Sequence, residues 1–249
     1  MTKKILSIKN LAKKYHTEKG EIFAIEDISL DVYKGEILGI VGSSGCGKST
    51  LLNILAGLDK KTDGKVNNHS LSFSYMLQSD ALLPWLTVED NACLGLDLKK
   101  IKTKENTEYA KKLLTNFGLE KFLDVYPSSL SGGMKQRVAL VRTLATKPDI
   151  ILLDEPLSAL DYVTRVSISN DVYDLLKNTG VTTLLITHDI AECISMCDRV
   201  AILSQRPCHV KNIFEIKLKT RKKPSENRKD ELFNYYYNKI WGDLDKNFI

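Results

Sequence analysis

Residues 42–50 read Gly-Ser-Ser-Gly-Cys-Gly-Lys-Ser-Thr, which fits the phosphate-binding pattern G-x-x-x-x-G-K-[ST]. An apolar run at 37–41 precedes this stretch and predicts a buried strand, and a helix-compatible run at 51–56 follows it. A strand, a glycine-rich loop and a helix in this order point backbone N–H groups and a helix N-terminus at an anion. We therefore expect residues 42–50 to bind nucleotide phosphates.

Every residue of this loop is a candidate nucleotide ligand: Gly42, Ser43, Ser44, Gly45, Cys46, Gly47, Lys48, Ser49 and Thr50. Glycine lets the backbone approach phosphate oxygens without a Cβ in the way. Lys48 is expected to place its charge beside the β and γ phosphates, and the Ser49 hydroxyl is a candidate Mg²⁺ ligand. A glycine-rich turn with a chance lysine is disfavoured by the strand and helix on either side.

Length and composition favour a globular protein. The chain has 249 residues, 43% of them hydrophobic, which is enough for one large α/β domain or two small lobes sharing a core. No apolar run approaches the roughly 20 residues of a membrane span, and the N-terminal residues show no apolar secretion signal. We expect a soluble protein that reaches a membrane only through a partner. The five cysteines are irregularly spaced and odd in number, which favours free thiols.

The excess positive charge lies in the C-terminal part of the sequence. The net charge is +5, and residues 205–249 hold eleven lysines and arginines against six acidic residues, so the rest of the chain is balanced. A solvated face is the simpler interpretation, and anionic lipid headgroups or an acidic partner are the alternatives. No aromatic–basic interleaving or binding motif accompanies the charge, which disfavours nucleic acid as a partner.

Three short strands are predicted before the phosphate-binding strand, at about 5–11, 22–25 and 28–32. Tyr15 is predicted in a loop between the first two. An aromatic residue in a loop near a nucleotide can stack on the base, but the spacing alone favours a partly buried tyrosine equally. The glycines at 57 and 64 predict a turn region.

Strands and helices alternate in the rest of the chain. A strand is expected at 70–77, just before Gln78, and helices are expected across 85–148, including a short one at 119–125. Further strands are expected at 150–153, 183–187 and 200–203. A helix at 163–178 is expected to join the strand at 150–153 to the strand at 183–187. This alternation favours a mainly parallel sheet. Asp154 and Glu155 follow one strand and His188 follows the next. Carboxylates at the end of a buried strand suggest a Mg²⁺ contact and a water-activating base.

These motifs resemble the nucleotide-binding subunits of ATP-binding cassette (ABC) proteins, and they occur in that family's order. Similar to the family are the phosphate loop at 42–50, Gln78 in the Q-loop, the signature L-S-G-G-M-K-Q-R at 130–137, the Walker B strand with its glutamate at 150–155, the D-loop S-A-L-D at 158–161, the switch histidine His188 and the adenine-stacking Tyr15. The resemblance implies a P-loop NTPase (RecA-like) α/β core with a mainly parallel sheet, an N-terminal antiparallel β subdomain and a helical subdomain inserted at about 85–148. It covers the ATP-binding domain at 1–205 and leaves 206–249 as a basic C-terminal extension.

The resemblance also implies roles for single residues. The implied catalytic residues are Lys48, Gln78, Glu155 and His188, with Glu155 polarising the attacking water and His188 sensing the γ phosphate. Beside the phosphate loop and Gln78, the implied ATP-binding residues are Tyr15, Ser131, Gly132, Gly133 and Asp154. The implied Mg²⁺ ligands are Ser49, Gln78 and Asp154.

Partners follow from the same family. Ser131, Gly132 and Gly133 precede a helix, so they form a second anion-binding N-terminus. In the family this motif serves the γ phosphate bound by a second copy of the chain, and Asp161 links the two sites. The segments 81–88, 204–207 and 237–245 are similar to nitrate, sulfonate and taurine importers. This similarity implies that permease subunits dock near Leu83, Pro84 and Trp85 and that a solute-binding protein takes part. It also implies a peripheral location on the cytoplasmic face of the membrane. The alternatives are an exporter or lipoprotein-release subunit and a soluble, non-transport ABC ATPase.

Overall fold

A nine-stranded mixed sheet organises the part of the chain that the computed structural model describes, residues 3–18, 20–68, 70–158 and 160–245. The strands are β1 (Lys4–Thr17), β2 (Gly20–Tyr33), β3 (Ile37–Val41), β4 (Asp63–Asn67), β5 (Phe73–Met76), β6 (Ile150–Asp154), β7 (Thr182–Ile186), β8 (Arg199–Leu203) and β9 (Cys208–Glu215). The helices are α1 (Lys48–Leu55), α2 (Val88–Leu98), α3 (Lys104–Asn116), α4 (Gly132–Leu144), α5 (Tyr162–Thr179), α6 (Ile190–Met196), α7 (Pro224–Asn227) and α8 (Phe233–Asp245). The strand order is β4-β1-β2-β9-β8-β3-β7-β6-β5.

The parallel half of the sheet carries the buried core. Strands β8, β3, β7, β6 and β5 all pair in parallel, and every residue of β3, β6 and β7 is buried. Alternate side chains enter different cores: Ile37 and Val41 join the apolar cluster on one face, and Leu38 and Ile40 join the cluster on the other. The continuous apolar runs in the sequence are therefore strands covered on both faces. The α/β core predicted from the alternation is confirmed.

The antiparallel half differs from the prediction in its strand count. Strands β1, β2 and β4 pair in antiparallel fashion, and the predicted second and third short strands form one strand, β2. Glu26 and Asp27, which separate the two predicted strands, are exposed and do not interrupt β2. The predicted turn region contains β4, which passes so close to β1 that a Cβ on Gly64 would lie 2.3 Å from the Asn10 carbonyl oxygen.

Helices fill the segment between β5 and β6. Within 85–148 the chain forms α2, α3 and α4, together with the 3-10 turns Glu120–Phe122 and Pro127–Ser129. The helix predicted at 119–125 is therefore only a 3-10 turn. The Thr87 hydroxyl caps α2 by accepting a hydrogen bond from the Asp90 N–H at 3.1 Å.

The sheet continues beyond the boundary predicted at residue 205. Strand β9 lies between β2 and β8, parallel to the first and antiparallel to the second. Helices α7 and α8 pack against α5 and α6, and Ile240 of α8 is fully buried. The basic segment, as far as residue 245, thus packs on the body of the protein. Within the described ranges, no helix is both long enough and apolar enough to span a bilayer.

Candidate nucleotide site

The loop between β3 and α1 has the geometry of a phosphate cradle. Gly45 and Gly47 adopt left-handed φ angles of 73° and 125°, which a side chain would strain. The Lys48 ammonium donates hydrogen bonds to the carbonyl oxygens of Gly42 at 2.8 Å and Ser43 at 2.9 Å. These bonds hold the charge across the mouth of the loop, where α1 begins and leaves its first N–H groups free for an anion.

A cleft of about 450 Å³ opens in front of this loop. Its lining residues are Ser44, Gly45, Gly47, Lys48, Ser49, Thr50, Gln78, Glu155, His188 and Arg206. They come from the phosphate loop and from the segments that follow β5, β6, β7 and β8. Parallel strands end at one edge of a sheet, so these segments meet there. All four predicted catalytic residues therefore line one cleft.

Glu155 lies at the centre of the predicted catalytic group. Its Oε2 accepts a hydrogen bond from Gln78 Nε2 at 3.1 Å and lies 3.2 Å from His188 Nδ1. Glu155 has a left-handed φ of 47°, and its N–H donates to the Ile186 carbonyl oxygen at 2.8 Å. A non-glycine residue held in this region stores backbone strain, which is common at functional sites.

Asp154 is the last residue of β6, directly before Glu155, and it is buried. Its Oδ2 accepts a hydrogen bond from the Tyr75 hydroxyl at 2.9 Å. Burial and the Asp154 carboxylate raise the pKa of Tyr75, so the phenol keeps its proton and holds the carboxylate in place. The donor set of Ser49, Gln78 and Asp154 consists of a hydroxyl, an amide and a carboxylate. These oxygen donors suit Mg²⁺, so the residues present fit that ion.

Tyr15 is a strand residue, contrary to the loop predicted for it. It lies in β1 opposite Ile22, its side chain is 37% exposed, and its hydroxyl donates to Asp59 Oδ2 at 2.7 Å. Tyr15 is not among the residues that line the cleft. It belongs to the hairpin that contacts the phosphate loop, since a Cβ on Gly47 would lie 3.0 Å from the Ala24 carbonyl oxygen in β2.

The signature residues also lie apart from the cleft of their own chain. Ser131 caps α4 by accepting a hydrogen bond from the Met134 N–H at 3.3 Å, and Ser131 and Gly132 are exposed. Gly133 packs against α5, where a Cβ would lie 2.8 Å from Ile168 Cδ1. None of the three is among the residues that line the cleft.

The predicted D-loop leads into α5. Asp161 caps this helix by accepting a hydrogen bond from the Thr164 N–H at 3.1 Å. Ser158 bonds back to Glu155, since its hydroxyl donates to the Glu155 carbonyl oxygen at 3.0 Å. Ala159 lies outside the described residues.

Arg206 and Tyr75 were not among the predicted site residues. The Arg206 guanidinium donates to the Gly45 carbonyl oxygen at 2.8 Å and adds a cation to the cleft. The sequence signal for Arg206 was its place in the stretch 204–207, just after the last predicted core strand. Tyr75 gave no signal, because a tyrosine in a strand does not show which carboxylate its hydroxyl will reach.

Comparisons with known proteins agree with this site. A family model described as "ABC transporter" matches residues 25–158. The uncharacterized ABC transporter ATP-binding protein YtlC of Bacillus subtilis is 40% identical over 248 residues, which are 96% of this chain and 95% of that protein. The taurine import ATP-binding protein TauB of Jannaschia sp. is 38% identical over 219 residues, 85% of this chain and 82% of that protein.

A solved structure shows the same fold. The dimeric post-hydrolysis structure of the ATP-binding cassette MJ0796, bound to ADP and Pi, superposes with a TM-score of 0.72 at 31% identity. The match covers 85% of this chain and 99% of that one. With the phosphate loop, Glu155 and His188 gathered in one cleft, the chain belongs to the ABC transporter family as an ATP-binding subunit that hydrolyses ATP.

Proposed function

We propose that this subunit drives the import of a small anionic solute, such as a sulfonate. It docks on transmembrane permease subunits at the cytoplasmic face of the membrane, and a solute-binding protein delivers the solute to them. The taurine import relative supports this class of solute. The observation that carries the proposal is an exposed tryptophan on a rigid loop next to the ATP site.

The loop that follows Gln78 is held by the half-buried Arg142 and the buried Asn91. The Arg142 guanidinium donates to the carbonyl oxygens of Ala81 at 2.8 Å and Asp80 at 2.7 Å. The fully buried Asn91 accepts from the Leu83 N–H at 2.8 Å, and the carbonyl oxygens of Leu83, Leu86 and Thr87, at 3.0–3.1 Å from its Nδ2, share its two amide hydrogens. A loop fixed at this many points transmits a displacement instead of absorbing it.

This rigid loop presents an apolar surface to solvent. Trp85 is 68% exposed, Pro84 is exposed and Leu83 is half-buried. Tryptophan is enriched among the few residues that contribute most of the binding energy at protein interfaces. Because Gln78 Nε2 bonds Glu155 at one end of the loop, a change at the catalytic carboxylate reaches Trp85 through a short, continuous segment. We infer that Leu83, Pro84 and Trp85 contact the permease.

In the proposed reaction, the phosphate loop and Lys48 hold the β and γ phosphates, and Tyr15 stacks on adenine. Mg²⁺, held by Ser49, Gln78 and Asp154, would neutralise phosphate charge. Glu155 accepts a proton from the attacking water, and His188 binds the γ phosphate. Ser131, Gly132 and Gly133 serve the ATP of a second copy in a head-to-tail sandwich dimer, and Asp161 links the two sites.

Affinity purification from detergent-solubilised membranes tests the proposal. The tagged chain is expected to retain a multi-spanning membrane protein, identified by mass spectrometry together with a solute-binding protein. Trp85→Ala should lose most of the membrane partner, because the central anchor of an interface contributes about 2 kcal/mol or more. Its basal ATP hydrolysis should persist, since Trp85 is not among the residues that line the cleft.

Leu58→Ala is the matched control, because Leu58 is also an apolar residue and is 69% exposed. It should retain the membrane partner. Equal retention by wild type and Trp85→Ala would overturn the docking site. Recovery of a permease without a solute-binding protein favours an exporter, and recovery of ribosomal or DNA-bound proteins favours a soluble ATPase.

A further inference from the structure

His188 is a mostly exposed side chain that lies just beyond the end of a buried strand. Its side chain is 57% exposed, and its Nδ1 lies 3.2 Å from Glu155 Oε2. Packing does not hold an imidazole with this much solvent around it. Its direction therefore depends on the backbone of residues 187–189, and a displacement of about 1 Å at a catalytic group can slow a reaction by about 100-fold.

The Thr187 side chain fixes this backbone. Its hydroxyl accepts a hydrogen bond from the Asp189 N–H at 3.0 Å, so one side chain joins the residues before and after His188. The Thr187 N–H also donates to the Ile40 carbonyl oxygen at 3.3 Å, which ties the turn to β3. By itself, a threonine hydroxyl that bonds the backbone two residues ahead closes only a weak turn.

Glu192 strengthens the turn from helix α6. Its Oε2 accepts a hydrogen bond from the Thr187 hydroxyl at 2.6 Å. Thr187 is 2% exposed and Glu192 is 3% exposed, so water does not compete for this bond. A hydroxyl has one proton to donate and lone pairs with which to accept. Thr187 gives its proton to Glu192 and accepts from Asp189, and both bonds together fix the hydroxyl.

The helix that carries Glu192 is anchored at both ends. Asp189 caps its start, since the Asp189 Oδ1 accepts a hydrogen bond from the Glu192 N–H at 3.2 Å. Near its end, Asn227 Nδ2 of α7 donates to the Ser195 carbonyl oxygen at 2.8 Å. The carboxyl group therefore reaches the turn from a fixed position, and part of that support comes from the C-terminal segment.

Stability does not explain a carboxyl group at this place. Among the described residues, Glu192 Oε1 has no hydrogen-bond partner. A buried polar atom without a partner destabilises a fold. An apolar side chain of similar size would avoid that loss, but it would leave the Thr187 hydroxyl without an acceptor. The arrangement favours a role for Glu192 in holding Thr187.

We propose that Thr187 and Glu192 are positioning residues for ATP hydrolysis, which hold the His188 imidazole in its direction toward the γ phosphate. The inference rests on the role of His188 in the proposed reaction. Neither Thr187 nor Glu192 is among the residues that line the cleft, so both act through the turn at 187–189. Loss of either hydrogen bond lets the imidazole take other directions, while the phosphate loop still binds ATP.

Phosphate release by the purified full chain tests the role of the hydroxyl. Thr187→Val keeps the branched shape without the hydroxyl, so kcat should fall about tenfold or more. The KM for ATP should stay within about twofold, because the phosphate loop is intact. Thr187→Ser keeps the hydroxyl and should restore most of the activity. Thr183→Val is the matched control, because Thr183 is a fully buried threonine in β7, and it should keep the wild-type kcat.

A signal from His188 itself separates positioning from a general loss of structure. In protein labelled at its histidine rings, the NMR resonance of His188 is the one that His188→Ala removes. It should shift or broaden in Thr187→Val and return to its place in Thr187→Ser. Glu192→Met removes the acceptor and should act in the same direction, whereas Glu192→Gln keeps an acceptor oxygen and should not. Thermal melts identify the folded variants, and the Glu192 pair tests the support independently of Thr187→Val.

Wild-type kcat in a folded Thr187→Val or Glu192→Met would overturn the proposal. Equal losses in Thr187→Val and Thr187→Ser would also overturn it, as would a lower kcat with an unchanged His188 resonance. Full hydrolysis by His188→Ala would instead remove the role of the histidine on which the inference rests, so the two failures differ. Retention of a membrane partner is measured separately, and none of these results changes it.

Discussion

Glu155 shows how one residue can be prepared for chemistry by its neighbours. The positive φ turns its side chain away from the direction of β6 and into the cleft, where Gln78 and His188 approach the same carboxylate oxygen. An oxygen held from two sides is fixed in orientation. In the proposed reaction, an incoming water would meet a carboxylate that needs little reorganisation before it accepts a proton.

We expect Glu155→Gln to separate ATP binding from turnover. The amide keeps the size of the side chain but cannot accept a proton, so kcat should fall by at least about 100-fold, while ATP affinity should stay within about twofold because the cradle is intact. Calorimetry measures the affinity and phosphate release measures the rate. Glu226→Gln, on an exposed part of α7, is the control. Full hydrolysis by Glu155→Gln would exclude Glu155 as the base.

Helix α6 carries an unusual buried carboxyl group. Glu192 is 3% exposed, its Oε2 accepts a hydrogen bond from the Thr187 hydroxyl at 2.6 Å, and its Oε1 has no hydrogen-bond partner. Burial raises the pKa of Glu192 to about 7, with Asp189 adding to the rise and Arg165 and Arg228 opposing it. These neighbours come from the cap of α6, from α5 and from the end of α7, so the environment depends on how the helices pack.

Protonation of Glu192 should make stability depend on pH. Between its ordinary pKa of 4.5 and about 7, the native state holds a proton that the unfolded state has lost. Stability therefore falls as the pH rises through this window and levels off above it. Glu192→Gln mimics the protonated form, so its advantage over wild type should grow by about 3 kcal/mol between pH 4.5 and pH 8.

Urea denaturation of both proteins at several pH values measures this difference. The measurement at pH 4.5 is the control, because there the folded wild type already carries the neutral acid. Parallel stability curves across the whole range would contradict the raised pKa of Glu192, because they would mean that the folded and unfolded states release this proton over the same pH range.

Elements with strong local signals could be predicted from the sequence. The apolar runs of β3, β6, β7 and β8 lack any polar interruption, and α5 ends at Thr179, directly before Gly180, which has the left-handed φ typical of a helix stop. Strand β9 has no such signal, because its exposed and half-buried residues acquire a strand conformation only by pairing with β2 and β8. Tertiary pairing decides such segments.

The residues of the candidate site also differ in whether the sequence predicts them. The phosphate loop, Gln78, Glu155 and His188 could be identified because each follows a strand that the sequence predicts. Tyr75 and Arg206 could not, because their partners, Asp154 and Gly45, lie far away in the sequence. Which polar side chains meet across such distances depends on strand order, and local patterns do not contain it.

At the scale of the whole molecule, the separation of Ser131 from Lys48 points to two copies acting together. The signature residues cap α4 at the surface, and the cleft is not lined by them. A head-to-tail dimer would bring the signature of one copy to the phosphate loop of the other. The ATP-binding cassette MJ0796, which has this fold, is dimeric.

Mixing two defective variants tests the shared site. Lys48→Ala removes the phosphate contact and Ser131→Arg fills the signature, so each alone should be inactive. In an equal mixture, random pairing makes half of the dimers mixed, and each mixed dimer has one intact site, which restores about a quarter of wild-type hydrolysis. Phosphate release measures the recovery, and thermal melts check that Ser131→Arg is folded. No recovery from two folded variants would contradict a site built from both chains.

The position of β9 also bears on how the protein is made. The hairpin ends at Tyr33 and β9 begins at Cys208, so at about 5–20 residues per second the ribosome needs on the order of ten seconds to supply the strand that joins them. During that interval the edge of β2 is open to other nascent chains. The exposed Glu26 and Asp27 place negative charge on that edge, which discourages mispairing between identical chains on one polysome.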